Sequence, residues 1–140
     1  MFLLDTNVVS ELRNMSRANP SVRALAARTP AQLLWMSTIS VLELEIGVLR
    51  AERRDPPQGV LLRRWLEGQV LVQFEERLLM VDAVVARACA GMHVPDPRPE
   101  RDALIAATAK AFGLTIVTRD TADFEPMGVP VLDPWSTEQS

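Results

Sequence analysis

The stretch RDALIAATAKAFGLTIVTRD, residues 101–120, sets the fold class. From Asp102 to Phe112 it is apolar almost all round a helical wheel, with Thr108 and Lys110 the exceptions, and a helix of that kind is normally buried. Gly113 supplies a standard stop for such a helix. Leu114-Thr115-Ile116-Val117 then reads as a short β-branched strand with no polar alternation, as expected where both faces of a parallel sheet are covered. A buried helix leading straight into a buried strand is the repeating unit of an α/β protein.

The same alternation runs outward in both directions. Phe2–Asp5, Leu33–Met36, Leu78–Val81 and Val129–Leu132 are further short apolar strands. Helices are predicted over Val8–Arg13, Ser21–Arg28, Ser40–Arg53, Gly59–Val72 and Ala83–Met92, with Thr6-Asn7 and Ser37-Thr38 as candidate N-caps. Two proline-rich stretches, Asp55-Pro56-Pro57 and Val94 to Pro99, read as loops that end helices. Strands alternating with helices predict a three-layer α/β/α arrangement around a parallel sheet. No repeat or linker divides the chain, so residues 1–140 are expected to form a single domain. A chain of this length buries about two-thirds of the surface that its unfolded form exposes.

Hydrophobic residues make up 48% and charged residues 24%, a globular and not a disordered composition. No apolar run reaches the ~20 residues of a membrane span, and Asp5 interrupts the opening Met-Phe-Leu-Leu before a signal-peptide core can form. One cysteine, Cys89, excludes an internal disulfide and makes a cytoplasmic chain the expectation. The net charge of −3 argues against binding to nucleic acid by bulk charge alone, which moves attention to where the acids stand.

Asp5 ends the first strand and Asp120 follows the strand at 114–117. In an open parallel sheet the carboxyl ends of the strands form the ligand-binding edge, so both carboxylates are expected there, although either alone reads equally well as a cap. Asp102 shares its helix face with Ile105, Ala106 and Ala109, where an unpaired carboxylate is costly. Glu43 and Glu45 both lie in the apolar helix Ile39–Gly47, and wheel geometry does not choose between them; Gly47, which opens the surface beside Glu43, favours Glu43. Four such acids cannot all stay charged without a counter-ion. Hard oxygen ligands suit Mg²⁺ or Mn²⁺, ions that activate water and stabilise charge in phosphodiester hydrolysis. Setting these acids aside turns the net charge from −3 to +1, a better match for a polyanionic substrate.

Leu3-Leu4-Asp5-Thr6-Asn7-Val8, Glu43-Leu44-Glu45-Ile46-Gly47, the run from Asp102 to Ala109, and Thr118-Arg119-Asp120, in this order and spacing, resemble a PIN-domain ribonuclease of the VapC toxin type. The ending Leu132-Asp133-Pro134-Trp135 resembles the FitB-like branch. The resemblance implies a mainly parallel five-stranded sheet, a homodimer, a Mg²⁺- or Mn²⁺-dependent endoribonuclease acting on RNA, and inhibition by a cognate antitoxin. It maps the catalytic and metal-binding acids onto Asp5, Glu43, Asp102 and Asp120, and a supporting hydroxyl onto Thr118, with Asn7 and Asp123 as orienting groups. Arg119, directly before Asp120, is the basic residue best placed to meet substrate or orient the site.

Other chemistries fit less well. There is no glycine-rich phosphate loop with lysine. An aspartyl phosphatase would want a second Asp at Asn7, and a receiver domain a lysine near the last strand, whereas Lys110, the single lysine, lies in a helix. His93 lies far in sequence from the acidic motifs and is expected to be a surface or packing residue; Cys89 has no histidine nearby and is expected to be a small buried hydrophobe, and the scattered Trp35, Trp65 and Trp135 are expected to pack. The rival from another class is a non-catalytic interaction module whose acidic groove docks a basic peptide.

Overall fold

The computed structural model describes residues 1–136 and places β1 (Phe2–Leu4) at the centre of a five-stranded sheet. The other strands are β2 (Leu34–Ser37), β3 (Leu78–Leu79), β4 (Thr115–Val117) and β5 (Val131–Leu132), in the order β3-β2-β1-β4-β5. Every pairing is parallel; Leu3 lies level with Trp35 on one side and Ile116 on the other. Along β1 and β4 successive side chains alternate faces, as pleating requires. Leu3 and Ile116 enter one core, shared with Val85, Cys89, Ala103, Ile105 and Phe124. Leu4 and Val117 enter the other, shared with Val8, Val22, Leu44, Val48 and Leu66. Both faces are therefore buried, which is why these strands carry no polar alternation.

The first core lies beneath α6 (Ala83–Met92) and α7 (Glu100–Phe112), the second beneath α1 (Thr6–Glu11), α2 (Pro20–Arg28), α3 (Thr38–Arg54) and α4 (Pro56–Trp65). The short helices α5 (Leu71–Gln73) and α8 (Thr121–Phe124) complete the layers. Helix α7 is the buried helix expected: Ala103 and the run from Ile105 to Ala109 are inaccessible, and Gly113 ends it in the left-handed conformation, φ 66°. Among the described residues no helix is long and apolar enough to cross a membrane.

Three local expectations are corrected. Helix α1 starts at Thr6 and not Val8, because Asp5, not Thr6-Asn7, caps it. Pro56-Pro57 opens α4 instead of forming a loop, since proline is tolerated in a first helical turn whose N–H groups are unpaired anyway. The single helix expected over 59–72 is broken: α4 ends at Trp65, and Leu66–Val70 winds as a wider π-helical turn that buries Leu66 and Val70.

Helices α3 and α4 form a hairpin held by Arg63, which pairs with Glu45 at 2.6 Å and Glu52 at 2.9 Å. Gly59 makes the close approach: a Cβ there would lie 2.5 Å from the Glu52 Cα. Gly59→Ala is therefore expected to destabilise by about 1–3 kcal/mol despite the better helix propensity of alanine. A denaturation midpoint equal to or above wild type would show that the helices spread at no cost.

Candidate active site

The order β3-β2-β1-β4-β5 reverses at β1: the chain first winds to one side, then returns to place β4 on the other. Crevices for ligands open at such switch points, beyond the carboxyl ends of the strands. Asp5 is the residue after β1, and Thr118 follows β4. The Asp5 N–H donates to the Val117 carbonyl at 2.9 Å, which ties the two strand ends together.

The Asp5 carboxylate is 6% exposed, and both oxygens are engaged. Oδ1 accepts from the Thr6 N–H as the cap of α1, and Oδ2 accepts from the Thr118 hydroxyl, each at 2.8 Å. The capping reading and the edge reading of Asp5 thus both hold, one for each oxygen. Burial pushes its carboxyl up to about 6; the Thr118 and Thr6 hydrogen bonds oppose this, while the charges of Glu43 and Asp102 add to it.

Thr118, fully buried, is a hub. Its oxygen accepts from the Asp120 N–H at 3.0 Å and from Asn7 Nδ2 at 3.4 Å while its proton goes to Asp5. Asn7 Nδ2 also donates to Asp120 Oδ2 at 3.0 Å, and Asn7 Oδ1 accepts from the Arg119 N–H at 3.3 Å. Asn7 and Thr118 therefore lie between Asp5 and Asp120. The Arg119 guanidinium lies 5.1 Å over the Trp135 ring, a cation–π contact, so its side chain is engaged with the C-terminal segment.

From α3, Glu43 accepts from the Thr6 hydroxyl through Oε1 at 2.7 Å, and its Oε2 is 3.7 Å from Arg101. Glu45 instead joins Arg63 in the hairpin, so the choice of Glu43 stands on which partner each glutamate meets. The bond from Thr6 was missed from sequence; adjacency to Asp5 is the one signal that could have flagged it. The contact of Arg101 with Glu43 likewise joins α7 to α3, and no local pattern in the sequence marks it.

Asp102, half-buried in the first turn of α7, completes the cluster. Burial raises its carboxyl above the ordinary aspartate range, with the charges of Asp123, Glu43 and Asp120 adding and Arg101 opposing. Asp123 thus contributes by repulsion from the exposed side. Among the described residues no three acidic, histidine or cysteine side chains stand as a ready-made ligand set around one point. The donor chemistry nonetheless fits a hard divalent cation: the side chains offer carboxylate oxygens, and burial, reinforced by the neighbouring charges, makes two of them resist ionising. Away from the cluster, His93 Nδ1 accepts from the Arg98 N–H at 3.1 Å, Cys89 lies in the core under α7, and Trp35 packs against that core. Trp65 and Trp135 pack against the other core.

This arrangement has relatives. Residues 2–128 match the family model for the PIN domain. VapC ribonuclease Y4jK of Sinorhizobium fredii is 36% identical, over 96% of this chain and 98% of its own length. Toxin FitB of Neisseria gonorrhoeae is also 36% identical, over 96% of this chain and 99% of its own. The crystal structure of FitAcB from Neisseria gonorrhoeae superposes with a TM-score of 0.86 at 35% identity, covering 96% of this chain and 99% of that one. The parallel sheet, the acids at its switch point and similarity along nearly the whole length converge on one assignment: the chain belongs to the PIN domain family.

Proposed function

We propose that this chain is a Mg²⁺- or Mn²⁺-dependent endoribonuclease, the toxin of a toxin–antitoxin pair that its cognate antitoxin holds inactive. The observation that carries the reading is geometric: Thr6 links Asp5 to Glu43, Thr118 and Asn7 link Asp5 to Asp120, and Asp102 lies close enough for its charge to act on Asp5, although these residues come from separate parts of the chain. The RNA substrate and the antitoxin come from the relatives, which are named a VapC ribonuclease and the toxin FitB.

Asp5 is the fixed member, since its two hydrogen bonds leave it one orientation. Asn7 steadies Asp120. Glu43 is held by Thr6 and reaches the cluster opposite Arg101, which it would release on ligation. A divalent cation among these oxygens would acidify a water molecule and offset charge growing on the phosphate. Asp102, in the first turn of α7 beside the cluster, is placed to complete the ligand set or to orient the attacking water. Thr118 is a positioning residue.

The test is cleavage of single-stranded RNA by the purified protein in Mg²⁺ or Mn²⁺, silent in chelator and silent when the antitoxin is added. Thr118→Val, which removes the hub and leaves the acids, is expected to lower turnover about 10–100-fold, the usual cost of losing a group that orients a ligand. Silence under every divalent ion supports the rival reading, a non-catalytic module that docks a basic peptide.

A further inference from the structure

Gly47 and Gly59 lie in adjoining helices and do opposite things. Gly59 lets backbones touch, whereas a Cβ on Gly47 would meet nothing within 4 Å. Gly47 is mid-helix in α3, where glycine is less favourable than alanine, and it is exposed. Its missing side chain leaves a channel open. That channel is a cavity of about 280 Å³ between α1, α3 and α4, and Thr6, Glu43, Gly47 and Trp65 are among the residues that line it. It runs into a wider recess of about 520 Å³ through shared walls at Arg13, Leu62 and Trp65, and Arg17 lines that recess.

We propose that this groove is a substrate subsite that receives an unpaired nucleobase of single-stranded RNA against Trp65, with the adjoining phosphates on Arg13 and Arg17. The inference rests on the nuclease reading above and extends it from the scissile bond to the strand beside it. Three observations carry it. Glu43 and its hydrogen-bonded neighbour Thr6 line the groove as well as the acidic cluster, so a strand lying across the acids would continue into it. Glu43 is the single acid lining the two cavities, while Arg13 and Arg17 are exposed and make no ion pair among the described residues; the charge suits phosphates leading away from the acidic centre. Trp65 is half-buried, one part packed on the core and another lining both cavities, which offers a fixed aromatic face for a base. Paired RNA keeps its bases inside the helix and offers none to such a slot.

The test uses the cleavage-deficient Asp5→Asn protein, a fluorescein-labelled single-stranded RNA of about a dozen nucleotides, and the same strand annealed to its complement. Single-strand affinity is expected to exceed duplex affinity. Gly47→Leu and Trp65→Ala are each expected to weaken single-strand binding by about tenfold. The double change Arg13→Gln with Arg17→Gln is expected to reduce the salt slope by about 1.4. Trp65→Ala also removes packing, so Gly47→Leu, whose Cβ would meet nothing within 4 Å, is the decisive variant. In an otherwise wild-type chain it should keep or raise the melting temperature, since leucine is the better helix former, and keep the rise in that temperature on adding Mn²⁺. Unchanged RNA affinity in Gly47→Leu overturns the subsite and leaves the nuclease reading intact. RNA affinity kept while antitoxin binding is lost makes the groove a protein-docking surface and also overturns it. No binding by any of these proteins, with no cleavage by wild type, removes the nuclease reading and the subsite together.

Discussion

Asp5→Asn is expected to reduce RNA cleavage by about 100-fold or more while making the metal-free protein more stable. The two effects have one cause. The carboxylate is buried, and burial pushes its carboxyl up to about 6 from the ordinary 3.8. At neutral pH the ion therefore costs the fold about 3 kcal/mol. Asparagine keeps an oxygen for the Thr6 N–H but offers an amide where Oδ2 accepts the Thr118 proton, a loss of about 1 kcal/mol. The net gain of about 2 kcal/mol corresponds to a rise of about 5–10 °C in melting temperature. The activity falls because the neutral amide neither ligates a hard cation well nor balances its charge, and about 100-fold corresponds to about 2.7 kcal/mol of transition-state stabilisation. Normal turnover in a folded Asp5→Asn protein would remove Asp5 from the site. A lower melting temperature would mean that its hydrogen bonds outweigh its desolvation.

How much of this was legible in the sequence depends on distance along the chain. Asp5 and Asp120 could be placed because each directly follows an apolar strand, and a parallel sheet gathers strand ends at one edge. Asp102 could be placed because its own helix is apolar at the following turns. Glu43 could be preferred to Glu45 on the opening at Gly47 alone, since the partner that draws Glu45 away, Arg63, belongs to another helix. The bond between Asp5 and Thr118 spans 113 residues, and the three interactions of that hydroxyl need the register of β1 against β4, which no local pattern states. The same holds for the fold. The buried helix at 100–112 announces itself, but the double proline at 56–57 is compatible with an end or a beginning, and α3 had to be seen packing on α4 to decide. Nothing in Leu66–Val70 marks a wider turn, and the burial of Leu66 and Val70 does not require one, because residues four apart share a face of an ordinary α-helix too.

The metal-free protein is expected to lose stability as pH rises from about 4 to about 7, and a divalent cation is expected to return it above that window. The folded Asp5 carboxyl titrates near 6 and an unfolded aspartate at 3.8, so between these values the native state holds a proton that the unfolded chain releases. A carboxyl raised in this way contributes stability that is fully present below 3.8 and is lost as pH rises through about 6, a swing of about 3 kcal/mol. Asp102 is raised in the same direction and adds to the loss. The Glu52 carboxyl, held low by Arg63, acts oppositely, but as a lowered glutamate it does so on the acid side of this window. Ligation needs the ionised forms, so Mn²⁺ or Mg²⁺ should raise the melting temperature at about pH 7.5 and scarcely at about pH 5. At 100 times the dissociation constant the gain is about 2.7 kcal/mol, close to what ionisation removed. Calorimetry across this range, in chelator and then in Mn²⁺, reads both effects, and Asp5→Asn should flatten both curves. Stability that climbs through this window without metal would mean that the buried carboxylate has a cationic partner at every pH, and a cluster already neutralised from within has no need of an ion.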